Sequence, residues 1–191
     1  MKIMKWISVV IVTIITLVIS FQFKSDLPAT EVDAKYSNAE SEFLNMENGA
    51  RVHYRDQGNL DGLAVILVHG GMSSLHTWEP WVKILGEQYR IITLDLPGFG
   101  LTGAVPNADS NAYGAAAFNR TISAVPNATG VERFVLGGNS MGGGATWRYA
   151  LANPERVLAM ILVDSAPPGN WLRTERNDDN NDGSKRFRGL L

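Results

Sequence analysis

The sequence predicts an α/β domain in which helices flank a mostly parallel sheet. Apolar runs of strand length alternate with helical patterns, and glycine-rich turns follow three of them; the runs cover 51–55, 63–68, 90–94, 133–136 and 157–163. Continuous apolar strands are typical of parallel sheets, because helices cover both faces of such a sheet. Ligands bind these sheets at the carboxyl ends of the strands, so the glycine turns are the first place to look for a functional site.

Three stretches between the apolar runs carry helical patterns, at 78–88, 113–124 and 141–153. The second is expected to stop short of Pro126, because proline lacks an amide hydrogen and its ring clashes with the preceding turn. Trp78, Trp81 and Trp147 fall in the first and third stretches. We expect them to pack against the sheet, with the lining of an apolar pocket as the alternative.

Residues 1–23 are predicted to be a signal anchor or a signal peptide. The 18 residues from Trp6 to Phe23 carry no charge and lie between Lys5 and Lys24. At about 1.5 Å per residue they reach the thickness of a hydrocarbon core, whereas a cleaved signal has a shorter apolar region of about 7 to 15 residues. The positive residues stay cytoplasmic. The domain is therefore expected outside the cytoplasm, either anchored to the membrane or secreted or periplasmic.

The remaining chain divides by composition into a linker at 24–43, a domain at 44–170 and a polar, disordered tail at 171–191. Asp178, Asn180 and Asp182 imitate the start of a calcium loop. Gly189 stands at the twelfth position, however, where such a loop needs a bidentate glutamate. We predict no metal site.

The overall composition excludes several classes of function. A net charge of −2 and the lack of a basic run provide no field for nucleic acid. The absence of cysteine excludes disulfides, thiolate metal sites and a cysteine nucleophile. No cofactor is implied and no protein partner is identifiable, so any chemistry has to come from serine, histidine and carboxylates.

The strongest motif is Gly138-Asn139-Ser140-Met141-Gly142, which follows an apolar run and precedes a helical stretch. In a G-x-S-x-G turn between a strand and a helix, the serine is held in a strained conformation above the sheet edge. Gly138 and Gly142 allow the strand and the helix to approach closely. We therefore predict that Ser140 is a nucleophile.

A second glycine turn, His69-Gly70-Gly71, follows the run at 63–68 and should lie at the same edge of the sheet. Acyl transfer needs two N–H donors aimed at the developing oxyanion, and we assign them to Gly71 and Met141. His69 is expected to shape this loop through hydrogen bonds to nearby backbone. His53 and His76 are expected to be surface or packing residues.

The third glycine turn, Asp95 to Gly100, follows the run at 90–94, and Asp95 is interpreted as a structural cap. With these three motifs in order, the sequence from about Phe43 to Gly169 resembles the α/β-hydrolase family. The resemblance implies an eight-stranded, mostly parallel sheet and hydrolysis through an acyl-enzyme. In this family the turn that corresponds to Gly138–Gly142 is called the nucleophile elbow. A serine at the elbow makes this chain similar to the esterase, lipase, C–C hydrolase and haloperoxidase branches, whereas epoxide hydrolases and haloalkane dehalogenases have Asp there.

In that family the triad follows the chain order Ser, then Asp or Glu, then His. Here every histidine precedes Ser140. Asp164 stands where some relatives place the acid, but without a histidine to orient it we expect a turn-capping carboxylate, with the acid role as the alternative. We expect the histidine, the final two strands and any cap to be missing, which would leave the run at 157–163 as an uncovered apolar edge. The chain is interpreted as a truncated gene, a fragment or half of a longer protein.

The resulting hypothesis is a serine hydrolase acting on a small carboxylic ester or related acyl substrate, with little or no activity in this chain alone. The alternative is a non-catalytic, membrane-tethered binding module or an inactive gene fragment. A further alternative is that His69 or His76 replaces the missing base.

Overall fold

The computed structural model describes residues 2–22, 27–109 and 111–165. These residues belong to two compact units, the first ending at Lys35 and the second beginning at Tyr36. The predicted tail at 171–191, including its calcium-like pattern, lies outside the described residues.

The first unit contains helix α1, Lys2–Gln22. Its segment Lys5–Gln22 has a mean hydropathy of 1.9, none of it is buried within the protein, and it is long enough to cross a membrane. A signal sequence near an N-terminus meets the same criteria. The hydroxyls of Thr13 and Thr16 donate to carbonyls four residues earlier, at 2.9 Å each, so these polar groups are satisfied within the helix.

Six strands form one sheet in the order β1-β2-β4-β3-β5-β6. Their bounds are β1 Ser41–Asn45, β2 Arg51–Gly58, β3 Leu63–Val68, β4 Tyr89–Leu94, β5 Phe134–Asn139 and β6 Val157–Val163. The pairs β1–β2 and β2–β4 are antiparallel. The pairs β3–β4, β3–β5 and β5–β6 are parallel. The predicted α/β class with a mostly parallel sheet is confirmed, and all five predicted strands are present.

Helices cover both faces of this sheet. The bounds are α3 Glu79–Leu85, preceded by a short 3-10 helix at Leu75–Trp78, α4 Ala115–Ala128 and α5 Met141–Ala152. The prediction that Pro126 ends the second helix was wrong, because α4 continues to Ala128. Pro126 lies in the last turn of α4, so its missing N–H removes a single backbone hydrogen bond.

The core has two layers, one on each face of the sheet. Along β3, Ile66 belongs to the cluster that packs under α4 and α5, whereas Leu67 belongs to the cluster around Trp78. This alternation follows from the two-residue period of a strand. Trp78 is 2% exposed, and its ring meets Trp81 edge-on at 5.1 Å. The expectation that these two tryptophans pack against the sheet is confirmed.

The structure differs from the prediction within the proposed linker at 24–43. Helix α2, Ala29–Tyr36, occupies part of it, and β1 begins at Ser41. At the other side of the sheet, β6 is the last described strand, and its residues from 158 to 163 all remain partly exposed. An apolar strand at the sheet edge was expected there.

Candidate active site

Ser140 occupies the turn between β5 and α5 with φ 49° and ψ −111°, a left-handed conformation that non-glycine residues rarely adopt. Glycine is required on both sides of it. A Cβ at Gly138 would lie 2.3 Å from the Gly142 carbonyl oxygen, and a Cβ at Gly142 would lie 2.3 Å from the His69 carbonyl oxygen. The two glycines therefore allow β5, α5 and the end of β3 to converge beneath Ser140.

Hydrogen bonds fix the backbone of this turn. The Ser140 N–H donates to the Val163 carbonyl at 2.9 Å, and the Gly144 N–H donates to the Ser140 carbonyl at 3.0 Å. The second bond is the first of helix α5. The N–H groups of the first helical residues, starting with Met141, have no partner within the helix and carry the positive end of its dipole.

The loop after β3 lies directly against this turn. A Cβ at Gly70 would lie 3.5 Å from the Ser140 Cβ, and a Cβ at Gly71 would lie 4.0 Å from the Met141 sulfur. Among the described residues, the N–H groups of Gly71 and Met141 have no hydrogen-bond partner. The structure thus brings together Ser140 and the two residues that the sequence suggested as oxyanion donors.

Met72, the next residue of this loop, was not singled out by the sequence. It has φ 56°, and its side chain is fully exposed. A large apolar side chain combined with a left-handed backbone is unusual. Met72 therefore presents an exposed apolar side chain from the loop that lies against Ser140.

His69 is fully buried in this loop, and both of its ring nitrogens are engaged. Nδ1–H donates to the Gly70 carbonyl at 2.7 Å, and Nε2 accepts from the Leu96 N–H at 3.1 Å. Burial lowers the pKa of His69, although Gly70 and Asp95 oppose the shift. The imidazole is therefore a neutral group that shapes the loop, as predicted, and both of its ring nitrogens are occupied by backbone groups, which disfavours the alternative in which it acts as the base.

The other two histidines are also engaged elsewhere. His53 is fully buried on β2, with Nδ1 2.8 Å from Asp95 Oδ2 and Nε2 2.9 Å from Ser41 Oγ. His76 Nδ1 contacts Ser74 Oγ at 3.0 Å, and its Nε2 lies 3.0 Å from an Arg55 nitrogen. Neither ring is bonded to Ser140. The interpretation of His53 as a surface or packing residue missed its pairing with a buried carboxylate.

Asp95 caps local N–H groups, which confirms its structural interpretation. Its Oδ1 accepts from the Leu75 N–H at 2.7 Å, and its Oδ2 accepts from the Leu101 N–H at 2.9 Å. A Cβ at Gly100 would lie 2.1 Å from Oδ2, so only glycine fits beside this carboxylate.

Asp164, the candidate acid, follows β6 and lies close to the elbow. Asn139 pairs with Val163 in the β5–β6 register, so Asp164 comes one residue after the strand neighbour of Asn139. It is exposed, with φ 47°. Among the described residues its carboxylate has no hydrogen-bond partner, so the turn-capping interaction expected from the sequence is not found there.

The strand order, the elbow after β5 and the glycine loop after β3 form a combination that can be compared with known proteins. The sequence profile described as "alpha/beta hydrolase fold" matches residues 64–185. The chain belongs to the alpha/beta hydrolase fold family. Members of this family that resemble it are hydrolases of small molecules by name.

One curated relative is the 2-hydroxy-6-oxononadienedioate/2-hydroxy-6-oxononatrienedioate hydrolase of Comamonas testosteroni. It is 34% identical over 128 residues, which cover 65% of this chain and 43% of the relative. The chain thus spans less than half the length of that hydrolase.

Two solved structures illustrate the range of similar proteins. An epoxide hydrolase from an endophytic Streptomyces is 30% identical, with a TM-score of 0.59 over 68% of this chain and 39% of that protein. A protein described as a membrane phospholipase A is 25% identical, with a TM-score of 0.61 over 100% of this chain and 63% of that protein.

Proposed function

We propose that this chain provides the nucleophile side of a serine hydrolase that cleaves a carboxylic ester or related acyl substrate through an acyl-enzyme. Ser140 is the nucleophile, and the N–H groups of Gly71 and Met141 stabilise the oxyanion. The observation that carries this proposal is the strained serine with two N–H donors beside it that have no partner within the described part of the chain. Preorganised donors of this kind are each worth about 10²–10³ in rate.

The nucleophile favours acyl chemistry over epoxide opening. The resemblance places an aspartate at this position in epoxide hydrolases, whereas this chain has Ser140. A serine alkoxide attacks a carbonyl carbon and forms an ester intermediate that water then hydrolyses. The likeness to a protein described as a membrane phospholipase A also favours an ester substrate.

The proposed reaction needs a base that the three histidines do not supply. The base removes the Ser140 hydroxyl proton as the oxygen bonds to the carbonyl carbon, and the leaving alkoxide takes up a proton as its bond to that carbon breaks. His53, His69 and His76 are each hydrogen-bonded through both ring nitrogens to other groups. We therefore place the base outside these residues. Asp164 is the candidate acid that would orient it.

The cellular location is also part of the proposal. Helix α1 has the length and composition of a membrane span, and Lys2 and Lys5 precede its apolar segment. Positive residues remain on the cytoplasmic side. We place the hydrolase domain outside the cytoplasm, on a membrane anchor or released if the segment is cleaved.

The decisive experiment supplies the missing base from solution. The full chain in detergent micelles is incubated with p-nitrophenyl acetate and imidazole, and peptide mass spectrometry then locates the acetyl group. We expect the initial rate of Ser140 acetylation to rise with imidazole concentration, because imidazole takes up the Ser140 hydroxyl proton during the attack. Ser140→Ala should abolish the label. Ser123→Ala is the matched control, because Ser123 bonds to Tyr149 at 3.2 Å and its loss leaves the elbow intact.

Acetylation spread over other residues, or unchanged by Ser140→Ala, would contradict the serine mechanism. A folded chain that binds the ester without forming acetyl-Ser140 would support the binding-module alternative. Rapid acetylation without imidazole would show that the chain contains its own base, and His76 would then be the first residue to replace.

A further inference from the structure

A buried side-chain pair that the proposed reaction does not use joins two segments of the second unit. Asp95 follows β4, His53 lies on β2, and both are fully buried. Their side chains meet at 2.8 Å between Nδ1 and Oδ2. A carboxylate only accepts hydrogen bonds, so Nδ1 of His53 carries the proton that is shared in this contact.

The same carboxylate holds the loop beside Ser140. Its other oxygen, Oδ1, accepts the Leu75 N–H at 2.7 Å, at the far end of the segment that begins with His69. The near end is fixed next to Asp95, because the Leu96 N–H donates to His69, which in turn donates to the Gly70 carbonyl. Gly71, the first proposed oxyanion donor, lies between these two anchor points.

We propose that His53 is a positioning residue that acts through Asp95 to hold the loop from His69 to Leu75 in the geometry that directs the Gly71 N–H toward Ser140. This role rests on the oxyanion function proposed for Gly71. His53 is suited to it because β2 holds it rigidly. Its carbonyl accepts the Asp95 N–H at 2.9 Å, and its N–H donates to Thr102 Oγ1 at 2.9 Å.

The physical reason is the directionality of a buried carboxylate. Three N–H donors, from His53, Leu75 and Leu101, fix the plane of the Asp95 carboxylate. Without the imidazole donor, one oxygen loses a charge-assisted hydrogen bond in a site that water does not reach. The carboxylate then rotates to recover a donor and no longer directs Oδ1 at Leu75.

The variants are His53→Leu, which removes the donor, and His53→Asn, whose side-chain nitrogen stands the same number of bonds from Cα as Nδ1. Val125→Ala is the control for simple loss of stability. Val125 is a fully buried residue of α4 in the core cluster under that helix, and it has no hydrogen bond to the loop. All variants are made in the full chain in detergent micelles.

The first readout is hydrogen exchange by mass spectrometry, which does not depend on any reaction at Ser140. In His53→Leu we expect amides in the peptide 69–76 to exchange about tenfold faster or more, while β3 and β5 keep their protection. His53→Asn should restore exchange to within about threefold of the parent. Val125→Ala should speed exchange evenly through the domain.

The second readout is the rate of Ser140 acetylation with imidazole present. In His53→Leu we expect the maximal rate to fall by about tenfold or more, with the half-saturating ester concentration unchanged. The reason is that a misdirected N–H donor stabilises the transition state less, while binding of the ester in the ground state stays the same. His53→Asn should recover most of the rate.

Unchanged loop exchange in His53→Leu, an even rise like that of Val125→Ala, or no recovery in His53→Asn would each overturn the positioning role. Failure of the proposed function is distinguishable from these outcomes. If the parent chain forms no acetyl-Ser140, that function fails, and the exchange data alone then decide whether His53 holds the loop.

Discussion

Replacing Gly142 by alanine tests whether close backbone contact at the elbow sets the position of Ser140. The added Cβ would lie 2.3 Å from the His69 carbonyl oxygen and 2.4 Å from that of Val68. Both oxygens belong to backbone at the end of β3, so they cannot rotate away as a side chain would. The helix or the strand end has to move by roughly 1 Å to reach ordinary contact distance.

The expected cost follows from two opposing terms. Overpacking a close contact costs about 1–3 kcal/mol, and rigid backbone neighbours place this site at the upper end of that range. Alanine gains up to about 1 kcal/mol over glycine in a helix. We therefore expect Gly142→Ala to lose about 2–3 kcal/mol of unfolding free energy.

Gly144→Ala is the matched control in the same helix. Its added Cβ would meet only the Arg148 Nη1 atom, at 3.1 Å, and that atom is the end of a flexible side chain. The helix-propensity term then dominates, and we expect a gain of about 0.5–1 kcal/mol. The two variants have the same composition, so their difference of about 2.5–4 kcal/mol reports the contact at the elbow.

The assay is urea unfolding of the full chain in detergent micelles, followed by tryptophan fluorescence, with Ser140 acetylation measured in parallel. Gly142→Ala should also lose most of the acetylation, because the shift separates α5 from the loop that carries Gly71. Equal stabilities for the two variants within about 1 kcal/mol would refute the close approach of α5 and β3.

Three further predictions concern single side chains. Burial lowers the pKa of His69 below 6.5, so the unfolded chain binds its proton first as the pH falls. The unfolding free energy should thus decrease below about pH 6.5 by up to about 1.4 kcal/mol per pH unit. Urea titrations from pH 7.5 to 5 measure this slope. The same slope in His69→Asn would contradict its assignment to His69. Ser140→Gly should raise the unfolding free energy by roughly 1 kcal/mol, because glycine adopts the left-handed conformation without strain. Ser140→Ala should give no such gain, so equal melting temperatures for the two variants would contradict backbone strain at this position. Thr146 Oγ1 is buried without a hydrogen-bond partner among the described residues. Thr146→Val should therefore gain up to about 1 kcal/mol of unfolding free energy. Thr121→Val should lose stability, because Thr121 Oγ1 donates to the Ala117 carbonyl at 3.0 Å. Urea midpoints that shift in the same direction for both variants would show that the two hydroxyls do not differ in this way.

The sequence predicted the parallel part of the sheet well, because its strands are largely apolar runs and three of them end in glycine turns. It missed β1 and α2, whose residues are mixed in polarity. β1 is an edge strand with the burial pattern of a half-exposed element, and α2 has no buried residue, so neither carries a periodic apolar signal. The position of β1 depends on tertiary contacts such as the hydrogen bond from Tyr54 to Glu42 at 2.8 Å.

The elbow and its glycines were predictable for a local reason, since G-x-S-x-G between a strand and a helix specifies its own geometry. The pairing of His53 with Asp95 was not. The two residues are 42 positions apart and belong to different segments. Only the sheet order, which places β2 next to β4, brings them together. His53 lies in a strand that also contains Arg51, Arg55 and Asp56, so its sequence context does not indicate which partner it has.

The distribution of backbone strain supports the site independently of any motif. Within the described residues, four non-glycine residues have positive φ: Met72, Asn107, Ser140 and Asp164. Met72 lies in the loop after β3. Ser140 and Asp164 come directly after β5 and β6, which are neighbours in the sheet. Such conformations cost about 1–3 kcal/mol each and persist only where the surrounding structure enforces them. Their concentration at one edge favours a functional origin, because packing alone would not select the carboxyl ends of adjacent parallel strands. Ser140 directly follows β5, the central strand of these three.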